Sequence, residues 1–160
     1  MPVYLVRHAK AGDRLRWNGD DRDRPLSNKG RAQVDGLVKL LADHMLAAVK
    51  EEPQPRILSS PYVRCTQTVE PLAAELGLTV EVVEALAEHQ PFEPVLELLA
   101  TLPDHSLLCS HGDVIPATID ALVRRGMVVR GEPDWRKAST WVLHRDGDRI
   151  KRAKVIPPPS

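Results

Sequence analysis

The chain has 160 residues, 42% of them hydrophobic and 28% charged, a composition that fits one globular domain with a real core and excludes a wholly disordered, collagen-like or coiled-coil protein. Its 22 Lys and Arg balance 22 Asp and Glu, so no global field holds it on nucleic acid or an anionic membrane, and any charge-driven function must be local. No window approaches the ~20 apolar residues of a membrane span, and Met1 runs directly into strand-like residues without a signal-peptide pattern, so the expected location is cytoplasmic.

Val3 to Arg7 is a short β-branched apolar run and reads as a buried strand. Ala9 to Pro25 is a long loop dense in Gly, Asn, Asp and Arg. Loops of more than ~12 residues in compact domains are usually functional or disordered, which makes this one a candidate binding loop. Ser27 is placed to cap a helix through about Val49, with Val34, Leu37, Val38, Leu41 and Met45 recurring at helical spacing. Arg56 to Ser59 reads as a second strand, and Ser60-Pro61 as the opening of a helix to about Leu76, stopped by Gly77. Thr79 to Val83 alternates and predicts a third strand, followed by a helix over about Phe92 to Leu102. Ser106 to Cys109 predicts a fourth strand, and Val114 to Arg125 a helix ending at Gly126. Thr140 to His144 and Arg149 to Ile156 predict a hairpin with an Asp-Gly turn, and the Pro-rich tail, 157–160, is expected to fray.

Strands alternating with helices predict an α/β three-layer sandwich with a largely parallel central sheet, formed by a single domain over 1–156. In such sheets ligands bind beyond the carboxyl ends of the strands. Arg7 and His8 follow the first strand; Ser59, Ser60 and Arg64 the second; Glu84, Glu88 and His89 the third; and Ser110, His111, Gly112 and Asp113 the fourth. All of them fall at one sheet edge although they span a hundred residues of chain. Two His, two Arg and a carboxylate, with no metal-ligand pattern, predict an anion site in which a His does the chemistry and the ligand is a phosphate.

Arg forks match tetrahedral oxyanions and keep their charge, so Arg7 and Arg64 suit the phosphoryl oxygens. A neutral imidazole is a competent nucleophile near neutral pH, and neighbouring guanidinium groups help keep it unprotonated, which nominates His8. The leaving oxygen needs a proton, and Glu88 or Glu84 stands after the right strand. Since consecutive strand residues point to opposite faces, Arg7 and His8 serve one pocket only if the ladder turns irregular there.

These residues also carry a resemblance. Leu5-Val6-Arg7-His8-Ala9 resembles the RHG signature of the histidine phosphatase (phosphoglycerate mutase-like) superfamily, with Ala9 where Gly is usual. Pro25 to Gln33 resembles its "PLS..G..QA" segment, Ser59 to Thr68 its "SSP..R..QT" segment, and Ser110-His111-Gly112 its second-histidine motif. The resemblance implies that His8 is the phosphorylated nucleophile, that Arg7, Arg64 and His111 line the phosphate pocket, and that the reaction uses no cofactor and no metal. The chain's size makes it similar to the SixA-like branch, named for phosphohistidine phosphatases. Asp20 to Gln33 and Trp135 to Leu143 are also similar to the phosphatase-like domain that follows a Nudix domain in some actinobacterial proteins. The implied substrates are therefore a phosphohistidine protein or a small, nucleotide-type phosphate, with a phosphate-binding module without turnover as the non-enzymatic alternative. The expected assembly is a monomer or weak dimer with no nucleic-acid or membrane partner.

The remaining polar groups are read more plainly. Lys10, Arg14, Arg16 and Trp17 read as a solvated loop more than as substrate contacts, while Lys137, Ser139 and Thr140 are evenly balanced between the two. Ser60 serves as a helix cap as readily as a site group. His44, His89, His105 and His144 read as structural or surface groups. Cys65 and Cys109 read as buried free thiols, with neither disulfide nor metal spacing.

Overall fold

The computed structural model describes Met1 to Ser160. In chain order it contains β1 (Pro2–Arg7), α1 (Asn28–Leu46), β2 (Ile57–Ser59), α2 (Val63–Leu76), β3 (Val80–Val82), α3 (Glu93–Thr101), β4 (Leu107–Ser110), α4 (Val114–Arg124), β5 (Val128–Val129), β6 (Thr140–Asp146) and β7 (Arg149–Ile156). The seven strands form one sheet in the order β3-β2-β4-β1-β6-β7-β5. β3, β2, β4 and β1 run parallel, while β6 pairs antiparallel with both β1 and β7. No helix is long and apolar enough to cross a membrane.

The pleat of β1 divides the core. Val3 and Leu5 belong to one apolar cluster, with side chains of α3 and α4, whereas Tyr4 and Val6 belong to the other, with side chains of α1 and α2. Two helical layers therefore cover the two sheet faces, and the central strands are apolar on both sides because both sides are covered. On α1 the covered stripe is Gly30, Val34, Leu37, Leu41 and Met45, at the spacing one helix face requires.

Several boundaries depart from the sequence reading. α2 begins at Val63 and not at Ser60-Pro61, because Tyr62 is extended and Ser60 Oγ accepts from Tyr62 N–H inside a turn. Glu84 to Leu86 forms a single 3₁₀ turn where a plain loop was expected, and Asp21 to Asp23 forms another inside the long loop. β5 is a two-residue strand alongside β7, too short to leave a periodic signal. The tail adds no rung to the sheet, but it does not fray: Pro159 packs against α1 at Gly36.

One local device sets the course of the loop after β1. Ser27 accepts from Gly30 N–H as the cap of α1, and its hydroxyl donates to the Lys10 carbonyl, which also accepts from Ser27 N–H. Gln33 Oε1 accepts from Lys10 N–H at 2.9 Å. The Lys10 carbonyl consequently lies against Gly30, where a Cβ would sit 2.9 Å from the carbonyl carbon and overlap its oxygen. Because rigid backbone is the obstacle, Gly30→Ala is expected to cost about 3 kcal/mol and lower Tm by about 6–12 °C. A thermal melt within about 2 °C of wild type would show that the loop can yield there.

Candidate active site

Because β2, β4 and β1 are adjacent and parallel, their carboxyl ends open on one edge, with β4 in the middle. His111 is thereby set between Ser60 on one side and His8 on the other. The strand pairing of β1 stops at Arg7. His8 N–H still reaches the Ser110 carbonyl at 3.1 Å, but Ala138 N–H bridges the carbonyls of both Arg7 and His8. That irregularity is what lets two consecutive side chains serve one cavity. Ala138 adopts φ 69°, a left-handed conformation uncommon for a residue with a Cβ, and it is fully buried beneath the site.

The cavity has a volume of about 710 Å³, and its walls carry six cationic side chains against three carboxylates, in a chain whose net charge is zero. Arg7, His8, Arg64, His111 and Glu88 all line it. Glu84 does not: its side chain is 63% exposed and binds Arg22 instead. Trp17 also turns away and donates its indole N–H to the Asp20 carbonyl. Ser139 and Thr140 are buried outside the cavity wall, whereas Lys10, Arg14 and Lys137 stand on it.

His8 Nδ1 lies 2.8 Å from the Ala9 carbonyl, which can only accept, so the ring proton is on Nδ1 and the lone pair is on Nε2. Burial, together with His111, Arg64 and Arg7 nearby, holds the His8 pKa well below its usual value, so the neutral form prevails at physiological pH. The His8 and His111 rings are 5.4 Å apart, centre to centre. His111 Nε2 is 2.8 Å from Ser60 Oγ, whose other contact is the Tyr62 N–H that it accepts. A hydroxyl donated to Nε2 leaves the His111 proton on Nδ1, which is buried and has no partner.

Arg64 lies in the first turn of α2, where the helix dipole disfavours a cation, and two carboxylates offset this. Its Nη2 donates to Asp21 Oδ2 at 3.1 Å and to Glu88 Oε2 at 2.9 Å, and Nη1 donates to the Asp21 carbonyl. Tyr62 stacks on the guanidinium at 4.7 Å. Asp21 was not singled out from the sequence; its partner is 43 residues away, and nothing local marks it. Arg7 Nη1 donates to the Trp135 carbonyl at 2.7 Å, and its guanidinium crosses Gly112, where a Cβ would come within 2.6 Å of Cζ. That close passage is a physical reason for glycine after His111.

Thr68 ties the site to the helix behind it, accepting from Ala9 N–H at 3.0 Å and donating to the Arg64 carbonyl at 2.6 Å. Gln67 Oε1 accepts from Leu26 N–H. These polar residues hold the long loop to α2, a role that their spacing alone did not reveal. Of the four remaining histidines, His44 bonds its own helix, His105 meets Tyr4 and His144 lies on β6, while the exposed His89 borders the site, its backbone N–H donating to Asp113 Oδ2 at 2.8 Å on the cavity wall. Cys65 and Cys109 are buried and unbonded to each other.

Taken as chemistry, the edge presents a neutral imidazole with a free Nε2 among buried donors that no protein acceptor satisfies. The model of the histidine phosphatase superfamily (branch 1) matches residues 3–94, more than half of the chain. The chain belongs to this superfamily. Among relatives, the chain is 35% identical to the 8-oxo-(d)GTP phosphatase of Mycolicibacterium smegmatis over 98% of its own length and 48% of that protein's. The chain spans about half the length of the curated relatives it matches. Its structure is similar to that of a protein histidine phosphatase SixA complexed with tungstate, with a TM-score of 0.69, 23% identity, and coverage of 100% of this chain and 97% of that one. It is also similar to a mycobacterial glucosyl-3-phosphoglycerate phosphatase solved with VO3, at a TM-score of 0.64 and 21% identity, covering 96% of each chain. At those identities the two solved structures speak for the fold alone.

Proposed function

We propose that this chain is a phosphatase, a phosphoric monoester hydrolase that works through a phosphohistidine on His8. One observation carries the reading: Arg7 Nε, Arg64 Nε and His111 Nδ1 are all buried without a hydrogen-bond partner, and all three residues line the cavity that holds the nucleophilic nitrogen. Orphaned buried donors are costly, and these three are placed to donate to an oxyanion in the cavity.

In the first step His8 Nε2 bonds to phosphorus as the phosphorus–leaving-group bond breaks. Arg7, Arg64 and His111 hold the three equatorial oxygens and offset the charge that builds on them. Glu88 supplies the proton to the leaving group. In the free site Glu88 accepts from Arg64 and lies 3.5 Å from Arg14, and the proton it passes to the leaving group arrives on the substrate monoanion. In the second step Glu88 takes a proton from water, whose oxygen bonds to phosphorus, and the electron pair of the N–P bond returns to Nε2.

For the substrate, a nucleotide-type phosphate is favoured over a phosphohistidine protein. The 8-oxo-(d)GTP phosphatase relative matches at 35% identity over nearly the whole chain, whereas the SixA likeness stands at 23%. The test is hydrolysis of an aryl phosphate in excess EDTA as a function of pH. Because the His8 pKa lies well below 6.5, its neutral form persists as the pH falls through that value, and kcat/KM is expected to hold across pH 6.5 and to fall only in more acidic solution. No turnover by folded protein that still binds phosphate would make the chain a binding module instead.

A further inference from the structure

A second cavity, of about 770 Å³, opens beside the active site, and the two share Arg7, Lys10 and Lys137 as a common wall. Lys29 lines only the second cavity, and no Asp or Glu side chain lines it. Across the molecule most arginines near this edge are paired: Arg14, Arg22, Arg24, Arg64 and Arg136 each hold a carboxylate within 4 Å. Lys10, Lys29 and Lys137 hold none. The charges that bear on the half-buried Lys137 are Arg7, Arg24, Lys10 and Arg14, all of its own sign.

These lysines stand on rigid supports. The Lys10 backbone is held on both sides, by Gln33 and by Ser27. Lys137 precedes the strained Ala138 that bridges Arg7 and His8. Lys29 lies in the first turn of α1, where a cation opposes the helix dipole, so its place does not serve the helix. Pro159, packed on α1 at Gly36, and Pro158 also line this concavity.

We infer that Lys10, Lys137 and Lys29 form a second anion subsite, continuous with the His8 pocket, that binds the phosphates behind the scissile one, so the substrate class is an oligophosphate cleaved at its terminal phosphoryl group. The inference rests on the phosphatase reading of the same cavity. The His8–phosphorus bond forms, the terminal P–O–P bond breaks, and the shortened oligophosphate leaves with the electron pair on its oxygen. Lys10 and Lys137 offset that developing charge. Water then returns His8 and releases orthophosphate.

Binding is measured by calorimetry on His8→Ala protein, which keeps the ligands intact, with orthophosphate, tripolyphosphate and a hexa-aspartate peptide. Tripolyphosphate is expected to bind at least about tenfold more tightly than orthophosphate, the gain from one added charge-assisted contact. In His8→Ala/Lys29→Gln/Lys137→Gln protein that ratio is expected to collapse to about twofold. A ratio near one in the parent, or one that survives the lysine substitutions, overturns the subsite. Hexa-aspartate binding with the same lysine dependence and no gain for tripolyphosphate also overturns it, and assigns the patch to an acidic protein. Orthophosphate itself failing to bind defeats the phosphatase reading, while a lysine-dependent affinity for tripolyphosphate would still uphold the subsite.

Discussion

His8→Ala is expected to lower kcat on an aryl phosphate by at least about 10⁴-fold, because it removes the atom proposed to bond to phosphorus and leaves only the cationic cradle. The fold should be preserved. The imidazole makes one side-chain hydrogen bond, to the adjacent Ala9 carbonyl, and stands at the cavity rather than in either apolar cluster. Acid-labile labelling is the companion measurement: wild type briefly mixed with ³²P-labelled substrate and quenched in alkali should carry a label that is lost in acid, and His8→Ala should carry none. Turnover within about tenfold of wild type would move the nucleophile elsewhere, to water activated by Glu88 for instance.

Arg64→Ala should reduce kcat/KM by about 10³-fold, or about 4 kcal/mol of transition-state stabilisation. Arg64 is 1% exposed, and it donates to Asp21 on the long loop and to Glu88 after β3 while lining the cavity. Its loss removes a phosphate donor and also leaves two carboxylates facing the place where an anion must bind. Arg64→Lys should recover little of the deficit, since a single ammonium cannot serve two carboxylates and a phosphoryl oxygen in fixed directions. Kinetics of the two variants separate charge from geometry: near-full activity in Arg64→Lys would mean that only the positive charge matters.

The first of these residues were legible from the chain because they sit at strand ends. Val3 to Arg7, Arg56 to Ser59 and Ser106 to Cys109 announce themselves as short apolar runs, and a parallel sheet must bring the residues that follow them to one edge. His8, Arg7 and His111 were fixed by that logic, and the order of four motifs identified the superfamily. The helix stripe of α1 and the stop at Gly77 were legible for a similar reason, since both are set by neighbours within a few residues.

Other features depend on contacts that no local pattern encodes. Glu84 and Glu88 are both carboxylates that follow the third strand, two and six residues past Val82. A 3₁₀ turn between them sends Glu84 to Arg22 at the surface and Glu88 to Arg64 in the cavity. Asp21 holds Arg64, Gly30 admits the Lys10 carbonyl, and Pro159 rests on Gly36, each joining residues far apart in the chain. Secondary structure and motif order follow from short-range sterics and periodicity, so the sequence by itself determined the fold class, nominated His8 and located the site's edge. Which carboxylate enters the cavity, which lysines stay unpaired, and where the tail lies are decided by side chains meeting across the sheet edge, and only the tertiary structure brings those together.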